Sequence, residues 1–321
     1  MKLTNKYSRR KFIESTSISG ISVLLGSSYL LSACSQKEKA ADQVIPSIDN
    51  EVIHKISCQL YTFRNQMKED LPETIQKVAQ TGLKYVETFD FSDALSKDEG
   101  TSKSNPKSLS KLLKSAGLSV SSMHGEIPVG DMREKALAMA EAYDCTKLIW
   151  HGWPEDERYQ TVDGIKELAD IYNEASQFLK SNGLEFGLHN HWWEVRLDAE
   201  GEYPLQTLIE YLDKDIFLEI DTYWAKTAQR DPAEIIKKFG DRVQFMHVKD
   251  GPAPWHDDFA AQPHEPMVAL GNGVQDFDAI AKACGDHPKW MVIEFDECAT
   301  DIFVAVKESI DYLVTKKMAK I

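Results

Sequence analysis

Short runs of apolar, β-branched and aromatic residues alternate with longer segments of helical periodicity from residue 51 to the end of the chain. A short apolar run bounded by turn residues is typical of a buried strand, whereas apolar residues at every third or fourth position are typical of an amphipathic helix. The pattern predicts eight strands, at residues 55–62, 85–89, 119–124, 147–150, 185–190, 217–221, 243–249 and 290–295.

The segments between these strands carry helix boundary signals. Pro72 lies near the start of the first segment, Gly82 and Gly117 follow the ends of two, and Asp231 with Pro232 opens another. Eight strand-then-helix units in about 270 residues match the size of a (β/α)8 barrel. The predicted fold is therefore α/β, a single (β/α)8 TIM barrel over residues 51–321. A doubly wound open sheet is the alternative, but no G-x-G-x-x-G motif follows the first strand. The longest connection, residues 251–273, is predicted to be a functional loop such as a lid.

The first 50 residues differ from this pattern. A basic stretch precedes an apolar run at 18–31 that is too short and too rich in Ser and Gly to span a membrane. Residues 8–13 resemble a bacterial twin-arginine signal, and residues 31–34 resemble a lipobox ending at Cys34. We therefore predict a signal peptide at 1–33, lipidation of Cys34, a flexible tether at 34–50, and an exported lipoprotein facing the periplasm. A basic N-terminus preceding a core helix is the alternative.

Charge and cysteine content narrow the chemistry. The chain of 321 residues has a net charge of −14, and a cut before Cys34 would remove five basic residues and one acidic residue, leaving −18. Such a surface repels a phosphate backbone, so nucleic acid is excluded as a partner. The five Cys form no C-x-x-C pair, so a metal site must use His and carboxylates.

Polar residues cluster at the ends of the predicted strands, which is where TIM barrels build their active sites. The positions, from the second strand to the eighth, are Glu87, His124, His151, His189, Asp221, His247 and Glu294. We predict that His189, Asp221, His247 and Glu294, from four consecutive strands, form a mixed nitrogen and oxygen metal site. Such ligands suit Mn, Co, Fe or Zn better than Mg. The alternative is that these residues are hydrogen-bonded core residues without a metal.

Five motifs in order resemble the sugar phosphate isomerase/epimerase group of xylose isomerase-like barrels. They are Leu-His-Asn-His at 188–191, Leu-Glu-Ile-Asp-Thr at 218–222, Met-His-Val-Lys-Asp at 246–250, Leu-Gly-Asn-Gly at 270–273 and Val-Ile-Glu-Phe-Asp at 292–296. The resemblance implies a divalent metal held by the same four residues, which polarises a sugar carbonyl so that a neighbouring C–H is deprotonated through an enediolate.

Two positions depart from the group. Ketose epimerases have Glu where this chain has His189, and many relatives have His where this chain has Trp224. Glu294 is then the expected base, with His189 and Glu194 as further catalytic candidates. The candidates for substrate binding are His124, His151, Trp224, Lys249 and Glu87.

Three functions follow as hypotheses. The first is a metal-dependent sugar isomerase or epimerase, and the second is a lyase or hydratase acting on a keto-sugar or 3-keto-glycoside. The third is a sugar-binding lipoprotein without catalysis. In each case the expected partner is a small neutral carbohydrate, contact with the membrane is through the N-terminal lipid alone, and the oligomeric state stays open.

Overall fold

The computed structural model describes residues 54–89, 105–152, 156–196, 202–255, 265–287 and 289–321. The predicted signal peptide, Cys34 and the tether lie outside these residues, as does the middle of the predicted loop, 256–264. Among the helices in the described ranges, none has the length and apolar character needed to cross a bilayer.

Eight parallel strands form a ring, which confirms the predicted TIM barrel. Neighbouring strands pair in chain order from β2 to β8, β8 pairs with β1, and an isolated bridge between Gln59 and Glu87 joins β1 to β2. A ninth short strand, β9, lies beside β1 and was not predicted. The strands are β1 His54–Cys58, β2 Tyr85–Thr88, β3 Ser119–Gly125, β4 Lys147–Trp150, β5 Glu185–His189, β6 Phe217–Asp221, β7 Val243–Val248, β8 Trp290–Ile293 and β9 Ala319–Lys320.

The first strand is shorter than predicted because the side chain of Gln59 accepts the N–H of Tyr61 and starts a 3-10 helix, Leu60–Phe63. Two further 3-10 helices cover Glu157–Gln160 and Gly240–Arg242. The α-helices are α1 Arg64–Glu69, α2 Leu71–Gln80, α3 Pro106–Ser115, α4 Met132–Tyr143, α5 Val162–Ser181, α6 Pro204–Tyr211, α7 Thr222–Thr227, α8 Pro232–Phe239, α9 Phe277–Ala283 and α10 Ile302–Thr315.

The helix boundaries follow the sequence signals. Pro72 lies in the first turn of α2, and the side chain of Asp231 accepts the N–H of Ala233 at the start of α8. Gly82 and Gly117 follow α2 and α3 with φ of 100° and 76°, a left-handed conformation that favours glycine. The predicted helix ends are therefore correct.

Large apolar side chains fill the barrel at the N-terminal ends of the strands. The rings of Phe217 and Phe245 have centroids 5.6 Å apart, and Trp290 stacks on Phe245 at 6.0 Å and meets Tyr85 edge-on at 4.9 Å. Gly187 on β5 makes room for this packing, since an added Cβ would lie 2.3 Å from the Phe217 ring. We call these four aromatic residues the aromatic base.

Successive residues of a strand alternate between its two faces, so the residue two positions further on also points into the barrel. On β2, β6 and β7 those residues are Glu87, Glu219 and His247, which are buried. The interior thus changes from aromatic to ionisable within one step along the same strands.

Candidate metal centre

Two carboxylates and three imidazoles lie directly above the aromatic base, none of them more than 7% exposed. We call this set the polar layer; its members are Glu87, His124, His189, Glu219 and His247. His124 Nε2 lies 2.6 Å from Glu219 Oε2 and 3.1 Å from Glu87 Oε1. His247 Nε2 lies 2.7 Å from Glu87 Oε1 and 3.2 Å from Glu219 Oε2. Two ring nitrogens therefore alternate with two carboxylate oxygens around a closed cycle.

Glu87 is held from outside this cycle as well. Gln59 Nε2 donates to Glu87 Oε1 at 2.8 Å, and Ser122 Oγ donates to Glu87 Oε2 at 2.5 Å. The Glu87 carboxylate is fully buried. The structure therefore places Glu87 beneath the cavity described below, although the sequence suggested it as a substrate contact.

Charge in the polar layer is balanced locally. Burial opposes a charged His124, but the Glu87 and Glu219 carboxylates outweigh it and raise the pKa of His124 to about 9. The same competition raises the pKa of His247 well above its ordinary value. Burial lowers the pKa of His189 well below its ordinary value, so this ring is neutral and has a free lone pair to offer a ligand.

A second group, which we call the mouth cluster, lies at the C-terminal ends of β6, β7 and β8: Asp221, Lys249, Glu294 and Asp296. Lys249 Nζ contacts Glu294 Oε2 at 2.7 Å, Asp296 Oδ2 at 2.7 Å and Asp221 Oδ2 at 3.0 Å. Burial opposes the Lys249 charge, but the three carboxylates raise its pKa well above its ordinary value, so Lys249 is an ammonium ion.

Asp221 has two oxygens with different tasks. Its Oδ1 accepts the N–H groups of Tyr223 and Trp224 and so starts α7. Its Oδ2 is buried and, within the described part of the chain, has the Lys249 ion pair but no hydrogen bond. Burial raises the pKa of Asp221 to about 6. Oδ2 therefore has the capacity to accept a further partner beside the Lys249 ammonium.

The unused ring nitrogens of the polar layer face this oxygen. His189 Nε2 and His247 Nδ1 each lie 3.9 Å from Asp221 Oδ2, and His247 Nδ1 lies 2.7 Å from Glu294 Oε2. Asp221, His247 and Glu294 each offer a ligand atom within 4.8 Å of the other two. These three residues thus form one candidate site for a borderline divalent cation, with His189 Nε2 beside it, and His124, His189, Glu219 and His247 form a second group whose ligand atoms lie equally close together.

A cavity of about 720 Å³ opens above this donor set. Seven of the residues predicted from sequence to bind substrate or metal line it: His124, His151, His189, Trp224, His247, Lys249 and Glu294. Its other lining residues are Gln59, Tyr61, Arg64, Phe89, His191, Trp192, Pro266, Asp296 and Glu297. The predicted ligand Asp221 is not among the lining residues.

Glu194 lies elsewhere. It is buried, its Oε2 accepts the N–H of His191 at 2.8 Å, and its Oε1 lies close beneath Gly152, where an added Cβ would be 2.8 Å away. Glu194 therefore shapes the turns after β4 and β5 and is not among the residues that line the cavity.

Asp250, which follows β7, anchors the predicted functional loop at both of its described ends. Its carboxylate accepts the N–H groups of Gly251, Gly271, Gly273 and Gln275 at 2.9–3.1 Å. Gly273 has no room for a side chain, because an added Cβ would lie 2.2 Å from Asp250 Oδ1. The ends of the loop are therefore fixed beside the cavity.

Sequence reasoning missed Glu219, which contacts His124, His189 and His247. The available signal was strand alternation, because Glu219 lies two residues before Asp221 on β6 and shares its face. It also missed Gln59 and Asp296, whose partners are distant in sequence.

A closed parallel barrel with imidazoles and carboxylates gathered at the C-terminal mouth defines the class of this protein as a TIM barrel with a candidate metal centre. The chain belongs to the xylose isomerase-like TIM barrel family, whose model matches residues 75–315.

The chain is similar to inosose dehydratases of several bacteria. The chain is 24% identical over 184 residues to an inosose dehydratase of Serratia proteamaculans, an alignment that covers 52% of this chain and 59% of that enzyme. The chain thus matches little more than half the length of this relative.

Two solved structures share the fold. One is a sugar phosphate isomerase/epimerase from Parabacteroides distasonis, with a TM-score of 0.66, 22% identity, and coverage of 88% of this chain and 100% of that one. The other is a probable 3-DHS dehydratase from Bacillus anthracis, with a TM-score of 0.59, 16% identity, and coverage of 81% and 98%.

Proposed function

We propose that this protein is a divalent-metal-dependent enzyme that removes a proton from the carbon next to the carbonyl of a neutral cyclic sugar or polyol, and that the reaction ends in elimination of water or another leaving group. The observation that carries this proposal is the convergence of His189 Nε2, His247 Nδ1 and Glu294 Oε2 on the buried Oδ2 side of Asp221. A divalent ion held there would polarise a carbonyl and acidify the neighbouring C–H.

Glu294 is the base in this proposal. Burial opposes its charge, but Lys249 and His247 outweigh it and lower the pKa of the Glu294 carboxyl, which keeps it in the proton-accepting form. It also lines the cavity, so its carboxylate can reach a substrate held there. Lys249 Nζ contacts Glu294 Oε2 and would hold this carboxylate in place during proton transfer.

The carboxylates that line the cavity lie together on one side, where His247 is beside Glu294, and two further imidazoles lie on the other side. Glu294, Asp296 and Glu297 follow β8, whereas His151 and His191 follow β4 and β5 on the opposite side of the ring. Epimerisation with two carboxylates needs one on each face of the substrate. A base on one side and a hydrogen-bonding imidazole on the other suits removal of a proton and departure of a hydroxyl, which the inosose dehydratase relatives also favour.

A neutral substrate follows from the cations of the cavity. Among the described residues, the lysine and arginine side chains that line the cavity are those of Lys249 and Arg64. Arg64 donates to the carbonyls of Tyr61 and Asp296 and pairs with Glu297, and Lys249 is committed to three carboxylates. A sugar phosphate would therefore meet lysine and arginine side chains that are already paired with carboxylates of the protein.

Isomerisation is a second candidate. A 1,2-isomerisation returns the proton to the neighbouring carbon on the same face, so one carboxylate is enough, and the one-sided placement of Glu294 favours it over epimerisation. Product analysis separates the two outcomes, because elimination changes the composition of the substrate and isomerisation does not.

The test is incubation of purified protein with cyclic keto-polyols, keto-sugars and 3-keto-glycosides in D2O, with and without a chelator. We expect chelator-sensitive deuterium incorporation at one carbon, and loss of bound metal and of exchange in Asp221→Asn. This substitution keeps Oδ1 as the cap of α7 and replaces the ligand oxygen by an amide nitrogen. Asp231→Asn, the same change at the cap of α8, is the matched control.

The opposite result would be a metal-free protein that binds these sugars without exchange. It would replace the proposal by the third hypothesis, a carbohydrate-binding protein.

We also propose, from the N-terminal sequence, that the protein is an exported lipoprotein anchored through Cys34. Cys34→Ala should move the protein from the membrane fraction to the soluble fraction. Its persistence in the membrane fraction would argue for a different anchor.

A further inference from the structure

Three imidazoles of the polar layer converge on a single oxygen atom. Glu219 Oε2 lies 2.6 Å from His124 Nε2, 3.2 Å from His189 Nδ1 and 3.2 Å from His247 Nε2. The carboxylate is fully buried on β6, between the aromatic base and the mouth cluster. No other carboxylate within the described ranges contacts all three rings, because Glu87 contacts His124 and His247 alone.

This contact determines which ring nitrogen is available above it. A carboxylate oxygen only accepts hydrogen bonds, so a ring nitrogen that faces it carries the proton. In a neutral imidazole the other nitrogen then has the lone pair that binds a cation. For His189 that nitrogen is Nε2, which lies 3.9 Å from Asp221 Oδ2. His247 Nδ1 lies at the same distance from Asp221 Oδ2 but also 2.7 Å from Glu294 Oε2, so it carries a proton that a bound cation would displace.

We propose that Glu219 is a positioning residue of the metal centre, and that its Oε2 fixes the tautomers and ring orientations with which His189 and His247 face the cation. The inference rests on the proposed function, since it requires a divalent metal in the donor set. Partners of this kind behind a metal-ligating histidine typically affect metal affinity about 10- to 100-fold.

Glu87 provides an internal comparison. It faces the Nε2 side of His247 but not His189, and Gln59 and Ser122 hold it in place. Loss of the Glu219 charge should therefore disturb both proposed imidazole ligands, whereas loss of the Glu87 charge should disturb one.

The experiment is a titration of metal-free full-length protein with Mn²⁺, followed by calorimetry and by the electron paramagnetic resonance spectrum of the bound ion. We expect one site in the wild type, and in Glu219→Gln one site with an affinity about 10- to 100-fold lower and a changed spectrum. Glu87→Gln should show a smaller loss. Glu185→Gln, the same change in an exposed ion pair with Lys147, is the control and should match the wild type.

A second variant separates position from charge. Glu219→Asp keeps the negative charge but withdraws it from the rings by one carbon. We expect its affinity to lie between those of the wild type and Glu219→Gln. It also keeps the test meaningful if Glu219→Gln folds poorly, which thermal unfolding of the metal-free proteins would reveal.

Several results would overturn the inference. Wild-type affinity and an unchanged spectrum in both Glu219 variants would reduce Glu219 to a core hydrogen-bond acceptor. Two sites in the wild type and one in Glu219→Gln would make it a ligand of a second ion. Failure of the wild type to bind Mn²⁺ would overturn both proposals. Metal binding without deuterium exchange would overturn the proposed function alone.

Discussion

The aromatic base and the polar layer are built by the same strands, two residues apart. On β6 the step is from Phe217 to Glu219, and on β7 it is from Phe245 to His247. The aromatic base is held by ring contacts that need no charge, whereas each member of the polar layer has ionic partners at 2.6–3.2 Å.

The difference separates two contributions to the protein. Burial of aromatic rings stabilises the fold in proportion to the area removed from water. Burial of carboxylates and imidazoles costs desolvation, which their mutual contacts offset. We therefore expect substitutions in the aromatic base to lower the free energy of unfolding, and substitutions in the polar layer to lower metal affinity.

The largest effect is expected for His247→Gln in the polar layer. It removes a proposed ligand itself, so metal affinity should fall by more than the roughly 100-fold upper range for residues behind a ligand. Metal analysis after dialysis, together with the deuterium exchange assay, measures the loss. His287→Gln at an exposed surface position is the control. A variant that keeps wild-type metal content would remove His247 from the ligand set.

Phe245→Ala, two residues earlier, should act in the opposite way. Loss of a fully buried phenylalanine typically costs about 3–5 kcal/mol of the free energy of unfolding. Chemical denaturation measures this, and the folded variant should bind the wild-type amount of metal. A large loss of metal at unchanged stability would break the division between base and layer.

His54, at the start of β1, makes the free energy of unfolding sensitive to acid. Burial, aided by the Lys289 cation, lowers the pKa of His54 from 6.5 to about 4. The folded state thus favours the neutral ring. This preference for the neutral ring contributes about 3 kcal/mol to the free energy of unfolding. The contribution is complete above pH 6.5 and is lost as the pH falls toward 4. Chemical denaturation at several pH values across this range should show a weaker dependence of the free energy of unfolding on pH in His54→Gln than in the wild type. An equal dependence in both proteins would contradict the pKa shift.

Asp250→Asn should have the smallest effect. The amide keeps one acceptor oxygen but turns N–H groups toward N–H groups of the loop ends, at a cost of about 1–3 kcal/mol. Hydrogen exchange of the Gly271 and Gly273 amides should become faster while metal affinity stays unchanged. Reduced metal affinity would connect the loop to the metal centre.

The fold and the proposed ligands could be predicted because each depends on local signals. Strand runs and helix boundaries gave the barrel. His189, Asp221, His247 and Glu294 were predicted because strand ends in such a barrel point to one mouth, and their role as ligands stays a prediction. The family resemblance assigned the same residues.

The supporting contacts could not be predicted as easily. Glu219 lies within a strand, where its role depends on the rings that other strands bring to it. Lys249 contacts three carboxylates from different positions, a geometry that no spacing in sequence reveals. Glu87 lies near the end of β2 and Glu194 lies in the turn after β5, but the hydrogen bonds from Ser122 and from the His191 amide hold them away from the cavity lining.

The divided carboxylate of Asp221 has a consequence for how this protein could be engineered. One oxygen faces the candidate metal site and the other holds the first turn of α7, which carries Trp224 into the cavity wall. Under the proposed function, a substitution of Asp221 would therefore change ion selectivity and pocket shape together. We expect the two traits to vary separately only through other residues, such as Glu294 for the ion and Trp224 for the pocket.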